Sequence, residues 1–409
     1  SPFHEEWEGV TEALFLTGLA RGAFSLDRFR ATLERHDPAY YLETPYYERW
    51  QTGLESLFAA AGVVDEAAIR ETLSAVEDPD LGDDIVSLGL VNAISVEDDH
   101  VAIDLALGAP YSPNETAIAD DVRAVLAQEY PDVEVELSAS IDSSLDADEQ
   151  VLPNVENIIA VASGKGGVGK STISVNLAAG LADRGARVGL FDADIYGPNV
   201  PRMLGSEETP QATPDETIIP PEKYGMKLMS IDLLMGEDAP VIWRGPMVHK
   251  VLTQLWEDVQ WGSLDYMIVD LPPGTGDTQL TLLQSVPVSG AVIVTTPQEV
   301  AIDDARKGLQ MFGKHETPVL GIVENMSRFK CPDCGGEHAI FGEGGGRAFA
   351  EESDMPFLGE IPLDPAIREG GDEGKPMVLG EGETAEAFRD FVERTANNQG
   401  IIHRRRVSR

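Results

Sequence analysis

Residues 164–171 form the glycine-rich segment Gly-Lys-Gly-Gly-Val-Gly-Lys-Ser, which constrains the fold of this chain more than any other feature. The segment, here termed the phosphate loop, fits the pattern G-x-x-x-x-G-K-S/T and follows the apolar run 158–162. This arrangement predicts a strand, a tight loop and a helix that begins at Lys170. Glycines in such a loop let backbone N–H groups curve around phosphate oxygens, and the helix N-terminus adds partial positive charge. A glycine-rich turn without a ligand explains the match less well, so the sequence predicts a nucleotide site.

Two side chains of the phosphate loop have roles that follow from their chemistry. Lys170 is expected to reach the β- and γ-phosphates, and the Ser171 hydroxyl is expected to bind Mg²⁺. The predicted nucleotide contacts in and beside the loop are Gly164, Lys165, Gly166, Gly167, Val168, Gly169, Lys170, Ser171 and Thr172.

The part of the chain after residue 154 alternates short β-branched runs with helical patterns. Such alternation is typical of right-handed βαβ units, which build a parallel sheet covered on both faces. We therefore predict an α/β domain over residues 154–395, with a mostly parallel sheet flanked by helices. The expected strands are 158–162, 188–191, 266–271, 291–296, 319–323 and 357–361.

Two smaller regions precede this domain. Residues 65–138 predict a small α+β domain with a hairpin of 91–96 and 101–107 that turns at Asp98 and Asp99. Residues 1–64 show helical apolar spacing and predict a short helical segment. The stretch 139–153, rich in Ser, Asp and Ala, predicts a linker, and residues 396–409 predict a basic tail.

The charge of the chain bears on its partners and its compartment. It carries 71 acidic and 30 basic residues, for a net charge of −41. A field of that sign repels phosphate backbones and anionic lipid, which argues against nucleic-acid and membrane partners. It fits a halophilic protein, because concentrated salt screens the self-repulsion. No apolar run reaches the roughly 18 residues of a membrane span, so we expect a cytoplasmic protein.

The chain has two cysteines, Cys331 and Cys334, separated by three positions. This spacing excludes a structural disulfide framework and favours a metal-binding or redox pair.

The extra lysine at the start of the phosphate loop, Lys165, is one of only nine lysines in the chain. A loop with this lysine resembles the deviant Walker A motif of the ParA/MinD superfamily of P-loop NTPases. The resemblance implies that Lys165 reaches the nucleotide of a partner subunit, and hence a homodimer. Its implied catalytic residues are Lys165, Lys170 and Asp194.

Acidic residues at two later strand ends complete this resemblance. Asp192 and Asp194 match switch I, in which the first supports Mg²⁺ and the second acts on the attacking water. Asp270 ends an apolar strand like a Walker B aspartate and is expected to bind Mg²⁺. Gly274 lies in residues 272–277, which resemble a switch II that senses the γ-phosphate. Asp192 and Asp270 could instead be helix N-caps.

Residues 324–327, Glu-Asn-Met-Ser, followed by the Cys-Pro-Asp-Cys-Gly of 331–335, closely resemble the Mrp/ApbC group of iron-sulfur carrier ATPases. The resemblance implies that Cys331 and Cys334 bind a 4Fe-4S cluster, that Asn325 recognises adenine, and that ATP hydrolysis accompanies transfer to apo-proteins. Further motifs that carry it are residues 192–199, 243–246 and 359–364.

A cubane cluster takes four thiolates, whereas one chain offers two, so a symmetric dimer would complete the set. Three other interpretations of the cysteines remain open. They are a zinc site with Cys331, Cys334, His338 and one more ligand, a dithiol redox pair, and a structural knuckle without metal.

The two N-terminal regions resemble other families. Residues 65–138 resemble the iron-sulfur assembly domain often fused ahead of Mrp ATPases, but Ser112 stands where members commonly carry cysteine. A docking or regulatory role is therefore the expectation. Residues 1–64 resemble the start of the nitrile hydratase β subunit, with an aromatic cluster that would be core or interface.

The leading interpretation is an ATP-hydrolysing carrier that delivers a 4Fe-4S cluster to apo-proteins. One alternative is a metallochaperone for a nitrile-hydratase-like partner. Another is a ParA/MinD-like positioning ATPase, which would predict a basic surface or a membrane-targeting helix and no cysteine pair.

Overall fold

The structure is a computed structural model, and it divides the chain into two compact units. The N-terminal unit comprises Ser1–Leu105 and Ile118–Glu136, and the C-terminal unit comprises Ala106–Ala117 and Leu137–Arg409. The predicted turn at 98–99 lies outside the described residues, as does the predicted linker except for Leu152. The structure describes residues 6–20, 23–34, 47, 49–50, 53–54, 57, 63–97, 100–127, 130, 132–138, 152, 154–215, 217–234, 245–276, 279, 282–283, 286–331 and 334–408.

The N-terminal unit contains helices and a three-stranded sheet of order β1-β2-β3. Strands β1 and β2 pair antiparallel, so the predicted hairpin is confirmed. The elements in chain order are α1 (Glu6–Ala20), α2 (Leu26–Glu34), α3 (Val63–Leu73), β1 (Val91–Glu97), β2 (His100–Ala106), α4 (Pro113–Leu126), whose first turns belong to the other unit, and β3 (Asp132–Ser138).

The first helices of the chain pack around an aromatic core. The ring of Phe15 lies 4.6 Å from that of Phe29 and 4.9 Å from that of Trp50. Phe24, Phe29 and Leu54 are buried in the same cluster. Of the aromatics that the sequence left open between core and interface, Trp50 packs against this core. The phenylalanines of the cluster were not part of that expectation.

The C-terminal unit is built on a nine-stranded sheet of order β13-β12-β11-β4-β10-β5-β9-β8, with β14 paired to β12. The pairs at β13 and β8 are antiparallel and the other described pairs are parallel. Its principal strands are β4 (Val155–Ala162), β5 (Val188–Asp192), β9 (Met226–Ser230), β10 (Leu264–Asp270), β11 (Gly290–Thr295), β12 (Val319–Lys330) and β14 (Phe357–Leu363). Shorter strands are β6 (Gln211–Ala212), β7 (Ile218–Ile219), β8 (Glu222–Lys223) and β13 (Glu337–His338).

Helices cover both faces of this sheet. Neighbouring residues of β4 enter different apolar cores, because Ile158 packs with one buried cluster and Ile159 with the other. This two-sided burial confirms the predicted α/β class. The helices are α5 (Lys170–Asp183), α6 (Val200–Met203), α7 (Ile231–Leu234), α8 (Gly245–Glu257), α9 (Glu299–Lys314), α10 (Gly345–Glu352), α11 (Pro365–Glu373) and α12 (Glu383–Val407). None of the described helices is long and apolar enough to span a membrane.

The carboxyl ends of the central strands meet at one edge of the sheet. In the parallel register, Asp270 of β10 lies opposite Asp192 of β5 on one side and Val161 of β4 on the other. The phosphate loop follows β4, so it emerges at the same edge as both aspartates. This arrangement is the usual location of a ligand site in parallel α/β sheets.

Residues Ala106–Ala117, here termed the anchored segment, belong to the C-terminal unit. Near the amino end of β4, Asn157 Nδ2 donates to Gly108 O at 2.9 Å, and the Tyr266 hydroxyl of β10 donates to Pro110 O at 2.9 Å. Ser112 is fully buried, and its Oγ accepts a hydrogen bond from the Glu115 amide. This side chain therefore serves the fold of the segment.

The predicted basic tail is part of a helix. Helix α12 continues to Val407, and Arg404 is fully buried, where its Nη1 lies 3.3 Å from Glu115 Oε1. Glu115 also accepts a hydrogen bond from the Ala109 amide at 2.8 Å. The stretch is therefore helical, and a buried carboxylate of the anchored segment pairs with one of its arginines.

Candidate functional site

The phosphate loop contains glycines at positions where a side chain would clash or strain the backbone. Gly169 has a left-handed φ of 83°, and a Cβ added there would lie 2.1 Å from Asn325 Nδ2. A Cβ on Gly164 would lie 2.0 Å from the backbone oxygen of Asp304. Helix α5 begins immediately after Gly169, at Lys170, as predicted. The loop can therefore present backbone N–H groups at a helix start.

Lys170 and Asp270 meet inside the site. Lys170 Nζ lies 2.7 Å from Asp270 Oδ1, and the side chains are 6% and 0% exposed. The Ser171 hydroxyl donates to Asp270 Oδ2 at 2.6 Å, and the Ser174 hydroxyl donates to Oδ1 at 2.6 Å. Asp270 thus receives only side-chain donors from α5 among the described contacts, which fits a Walker B role better than a helix cap.

Asp192 is held from three directions. Its carboxylate accepts the Asp194 amide at 3.1 Å, the Ser230 hydroxyl at 3.1 Å and the Val200 amide at 3.3 Å. The last contact is with the first residue of α6, so Asp192 also supports that helix start. Burial and the neighbouring Asp270 carboxylate raise the pKa of Asp192 to about 7. A cation placed between these two carboxylates would favour their charged forms.

Asp194 is the acidic residue best placed to act on a water molecule. It lines the nucleotide cavity described below and is 9% exposed. Within the described part of the chain, its Oδ1 has no hydrogen-bond partner. Burial raises the pKa of Asp194, while Lys170 opposes the shift. A buried acceptor without a protein partner is suited to orient a water.

A cavity of about 600 Å³, here termed the nucleotide cavity, opens between the phosphate loop and α11. Its volume lies within the usual range of small-molecule sites. The predicted site residues that line it are Gly166, Gly167, Gly169, Lys170, Ser171, Thr172, Asp194 and Asn325. Lining residues that the sequence did not single out include Arg202, Met326, Arg368 and Asp372.

Several predicted contacts lie away from this lining. Lys165 is exposed, and its carbonyl accepts a hydrogen bond from the Ser163 hydroxyl at 3.0 Å. The Gly274 amide donates to Ser163 O at 2.9 Å, which ties residues 272–276 to the end of β4. Gly164 and Val168 shape the loop without lining the cavity. The predicted contact of Lys165 with a nucleotide therefore stays a prediction.

Asn325 contacts the phosphate loop directly. It is 4% exposed, and its Nδ2 donates to Val168 O at 2.8 Å. Asn325 lines the nucleotide cavity, and its contact with adenine stays a prediction. The observed hydrogen bond holds the phosphate loop in place.

The oxygen donors around Asp270 fit a magnesium ion. Mg²⁺ prefers carboxylate, hydroxyl and phosphate oxygens, and Ser171, Asp192 and Asp270 supply such groups at one strand edge. Mg²⁺ bound there would neutralise charge on the nucleotide phosphates. Ser174 and Ser230, which hold the two aspartates, were missed by sequence reasoning. Only the spacing of Ser174, one turn after Lys170, could have indicated its role.

The two cysteines lie just beyond the end of β12. Cys331 is half-buried and Cys334 is exposed, and the two do not form a disulfide. The Cys331 amide donates to Gly336 O at 2.9 Å, and the Gly335 amide donates to Cys331 O at 2.8 Å, so the described residues form a tight loop. Residues 332 and 333 between the cysteines lie outside the described residues.

A second cavity, of about 1020 Å³, contains Cys331 in its lining and is here termed the cysteine cavity. His338 pairs with Phe329 across β12 and β13. Among the described residues, no group of three or more His, Cys, Asp or Glu side chains is arranged to hold a metal ion. A four-coordinate metal site takes two ligands more than the two thiols of one chain supply.

The family model described as "NUBPL iron-transfer P-loop NTPase" matches residues 154–396. The chain belongs to this family. The fold and the resemblance predicted from the phosphate loop and cysteine motif are thus confirmed, and the prediction of an ATPase is confirmed at the level of the family. Two more models match upstream, an iron-sulfur cluster assembly protein over residues 66–137 and the nitrile hydratase β-subunit N-terminal region over residues 1–92.

Relatives of this NTPase family are similar over most of the chain. An iron-sulfur cluster carrier protein from Deinococcus radiodurans is 46% identical over 323 residues, which cover 78% of this chain and 91% of that protein. One from Synechocystis sp. is 46% identical over 329 residues, covering 78% and 93%. A nucleotide-binding protein from Archaeoglobus fulgidus, solved with ADP and with Co, is 39% identical with a TM-score of 0.52, covering 59% of this chain and 96% of its own.

Proposed function

We propose that this protein is an ATP-dependent carrier of 4Fe-4S clusters that works as a homodimer. Mg-ATP would occupy the nucleotide cavity, and the cluster would be the cargo, held by Cys331 and Cys334 of both subunits. The observation that carries the proposal is the pair of cysteines, not joined by a disulfide and reached by solvent, that follows β12, the strand whose Asn325 contacts the phosphate loop. The kinship with proteins named as iron-sulfur cluster carriers supports the choice of cargo.

The dimer follows from two separate needs. A cubane cluster takes four thiolates, and each copy supplies two. Lys165 is exposed and lies outside the cavity lining of its own chain, so its ammonium group can serve a nucleotide bound to a second copy. A two-fold axis would satisfy both needs, because every contact of an isologous interface occurs twice: the thiol pairs of the two copies would face each other at the axis, and each Lys165 would reach the other copy's nucleotide.

Hydrolysis would depend on the acidic residues at the strand ends. Lys170 would bind the β- and γ-phosphates, and Ser171 with Asp192 and Asp270 would hold Mg²⁺. Asp194 would orient the attacking water through its unpartnered Oδ1. The cluster would then pass to apo-proteins as the two subunits rearrange.

Anaerobic reconstitution tests the proposal. The full chain is incubated with iron and sulfide, and its absorption spectrum, its iron and sulfide content and its sedimentation are measured. We expect four irons and four sulfides per dimer, followed by ATP-stimulated transfer to an apo-ferredoxin. One zinc per chain after purification, with no iron-dependent dimer, would replace the cluster proposal with the zinc interpretation.

A second candidate function arises from the N-terminal match to the nitrile hydratase β subunit. In this alternative the same ATPase delivers a metal ion to a nitrile-hydratase-like enzyme, and α1 and α2 provide the docking element. Binding of the full chain and of a chain lacking residues 1–64 to such an enzyme would be compared. Equal binding by the two chains would count against the alternative.

A further inference from the structure

The nucleotide cavity and the cysteine cavity share a wall. Three consecutive residues at the end of β14 and the start of α11, Pro362, Leu363 and Asp364, line both of them. Asp364 caps α11 by accepting the Ala366 amide at 2.9 Å, and it accepts the Thr384 hydroxyl of α12 at 2.6 Å. The wall is therefore fixed to two helices.

Strand β12 passes from one cavity to the other within two residues. Asn325 and Met326 line the nucleotide cavity, whereas Ser327 lines the cysteine cavity. Cys331, the first thiol, lies four residues after Ser327 and lines the same cavity. The peptide bond between Met326 and Ser327 thus joins a residue that lines the nucleotide cavity to one that lines the cysteine cavity.

Met326 has an unusual backbone conformation at this boundary. Its φ is 56°, in the left-handed region that is unfavourable for a residue with a Cβ. The register of β12 against β14 changes at the same point, because Asn325 pairs with Ile361 whereas Phe329 pairs with Leu363. Four positions of β12 therefore span two positions of β14, which is an enlarged β-bulge. Strained residues of this kind persist where the surrounding structure holds them, often at functional sites.

Each neighbour of Met326 is bonded to a different part of the fold. Asn325 Nδ2 donates to Val168 O of the phosphate loop, and Ser327 Oγ donates to Ile361 O of β14 at 3.2 Å. The Met326 side chain itself approaches the loop, since a Cβ on Gly169 would lie 3.7 Å from Met326 Cε. A shift of the phosphate loop would therefore act on Asn325 and on the Met326 side chain, while Ser327 stays bonded to β14.

We propose that Met326 is a positioning residue whose strained backbone couples the nucleotide cavity to the cysteine loop, residues 331–335. The inference rests on the proposed function in one respect, because it assumes that nucleotide enters the cavity beside the phosphate loop. Binding there pulls on Asn325, the bulge at Met326 changes its conformation, and the segment that carries Cys331 moves. The reactivity of the thiols then depends on the nucleotide.

The test measures alkylation of the two cysteines by iodoacetamide in the metal-free, full-length chain. Rates are recorded with no nucleotide, with Mg-ADP and with the nonhydrolysed analogue Mg-AMP-PNP. We expect Mg-AMP-PNP to change the wild-type rate by about fivefold or more, the lower end of typical coupling between sites. Met326→Gly is measured at nucleotide concentrations that titration shows to saturate the variant. Its rate should then change less than twofold, because glycine adopts both backbone conformations without penalty.

Two variants control this result. Asp354→Gly removes a left-handed non-glycine residue, φ 54°, from the turn before β14 and outside both cavity linings, so it should keep the full response. Met326→Ala keeps a Cβ and the backbone restriction while removing the side chain, and it should also keep the response. If Met326→Ala loses the nucleotide-dependent change in alkylation rate as fully as Met326→Gly does, the coupling depends on the side chain of Met326. That result would overturn the proposal that it depends on the backbone.

Hydrogen exchange in the wild type keeps the inference testable if Met326→Gly does not fold. Mg-AMP-PNP should change protection of the amides in residues 327–330 while leaving 319–323, earlier in the same strand, unchanged. A uniform change in amide protection along β12 would overturn the proposed role of Met326. So would a wild-type protein that hydrolyses ATP and binds cluster but whose thiol alkylation rate does not depend on nucleotide. If the wild-type protein binds no iron and sulfide but its thiol alkylation rate changes with nucleotide, the proposed cargo is wrong and the proposed role of Met326 is retained.

Discussion

Lys170 Nζ and Asp270 Oδ1 lie 2.7 Å apart in a site where neither side chain is more than 6% exposed. The ammonium group thus offsets one of two carboxylates that face each other across β10 and β5. Removing one partner of a buried pair leaves an uncompensated charge, whereas an exposed lysine can be lost at little cost. This contrast separates the two lysines of the phosphate loop experimentally.

Lys170→Ala is expected to abolish ATP hydrolysis and to lower the free energy of unfolding by ~3–5 kcal/mol, the usual cost of breaking a buried ion pair. Lys165→Ala is the matched control in the same loop. It should unfold like the wild type, because Lys165 is exposed, yet hydrolyse ATP slowly if the lysine serves a second copy. Urea unfolding measures the stability of the two variants, and phosphate release measures their ATP hydrolysis. Wild-type turnover in Lys170→Ala would refute the assignment of the phosphate loop.

Asp194→Ala is expected to bind Mg-ATP with nearly unchanged affinity and to hydrolyse it ~10²–10⁴-fold more slowly, because the lost group acts on water in the transition state. Asp194→Asn should resemble it, since an amide is a poor base. Nucleotide titration and single-turnover hydrolysis separate the two effects. Equal losses of affinity and rate would assign Asp194 a structural role.

The ion pair of Glu115 and Arg404 is fully buried and joins the anchored segment to α12. Glu115→Gln keeps the acceptor for the Ala109 amide and removes the charge, so we expect it to cost ~3–5 kcal/mol of unfolding free energy, as should Arg404→Met. The double variant should cost less than the sum, because both charges of the pair are then removed together. Urea unfolding of the four proteins completes the cycle. Strict additivity would indicate that the two groups do not interact.

A Cys331→Ser, Cys334→Ser double variant is expected to lose the iron-dependent share of dimer stability and to keep ATP binding. Shared ligands tie two chains together through the cluster, and the phosphate loop forms its cradle from other residues. Sedimentation with and without iron and sulfide measures the first effect, and nucleotide titration measures the second. Loss of ATP binding would show that the cysteine loop supports the nucleotide site directly. An iron-dependent dimer in the variant would exclude these thiols as the bridging ligands.

The local parts of the site were predictable from the sequence. The phosphate loop and the start of α5 depend on residues adjacent in the chain, and glycine spacing with a following lysine specifies them. Asp192 and Asp270 were predictable because each ends an apolar strand, and carboxyl ends of parallel strands share an edge. The cysteine spacing similarly limited the chemistry of residues 331–335.

The partners of these residues required the tertiary structure. Ser230 binds Asp192 because β9 lies beside β5, and Ser174 binds Asp270 because α5 packs over β10. The Ser230 contact has no signature in the chain, and the spacing of Ser174 after Lys170 does not name its partner, since each contact depends on which elements become neighbours.

Two findings show most clearly where sequence reasoning ends. Arg404 stands in a basic run typical of an exposed end, yet it is buried because Glu115, 289 positions earlier, occupies the same interior. Met326 is an unremarkable residue in the sequence, and only its φ of 56° and the register change beside it identify the bulge. The sequence by itself determined the α/β class, the phosphate site and the thiol pair, because these follow from local spacing and periodicity. The tertiary structure decided burial, ion pairing and backbone strain, because these are set by contacts between residues far apart in the chain.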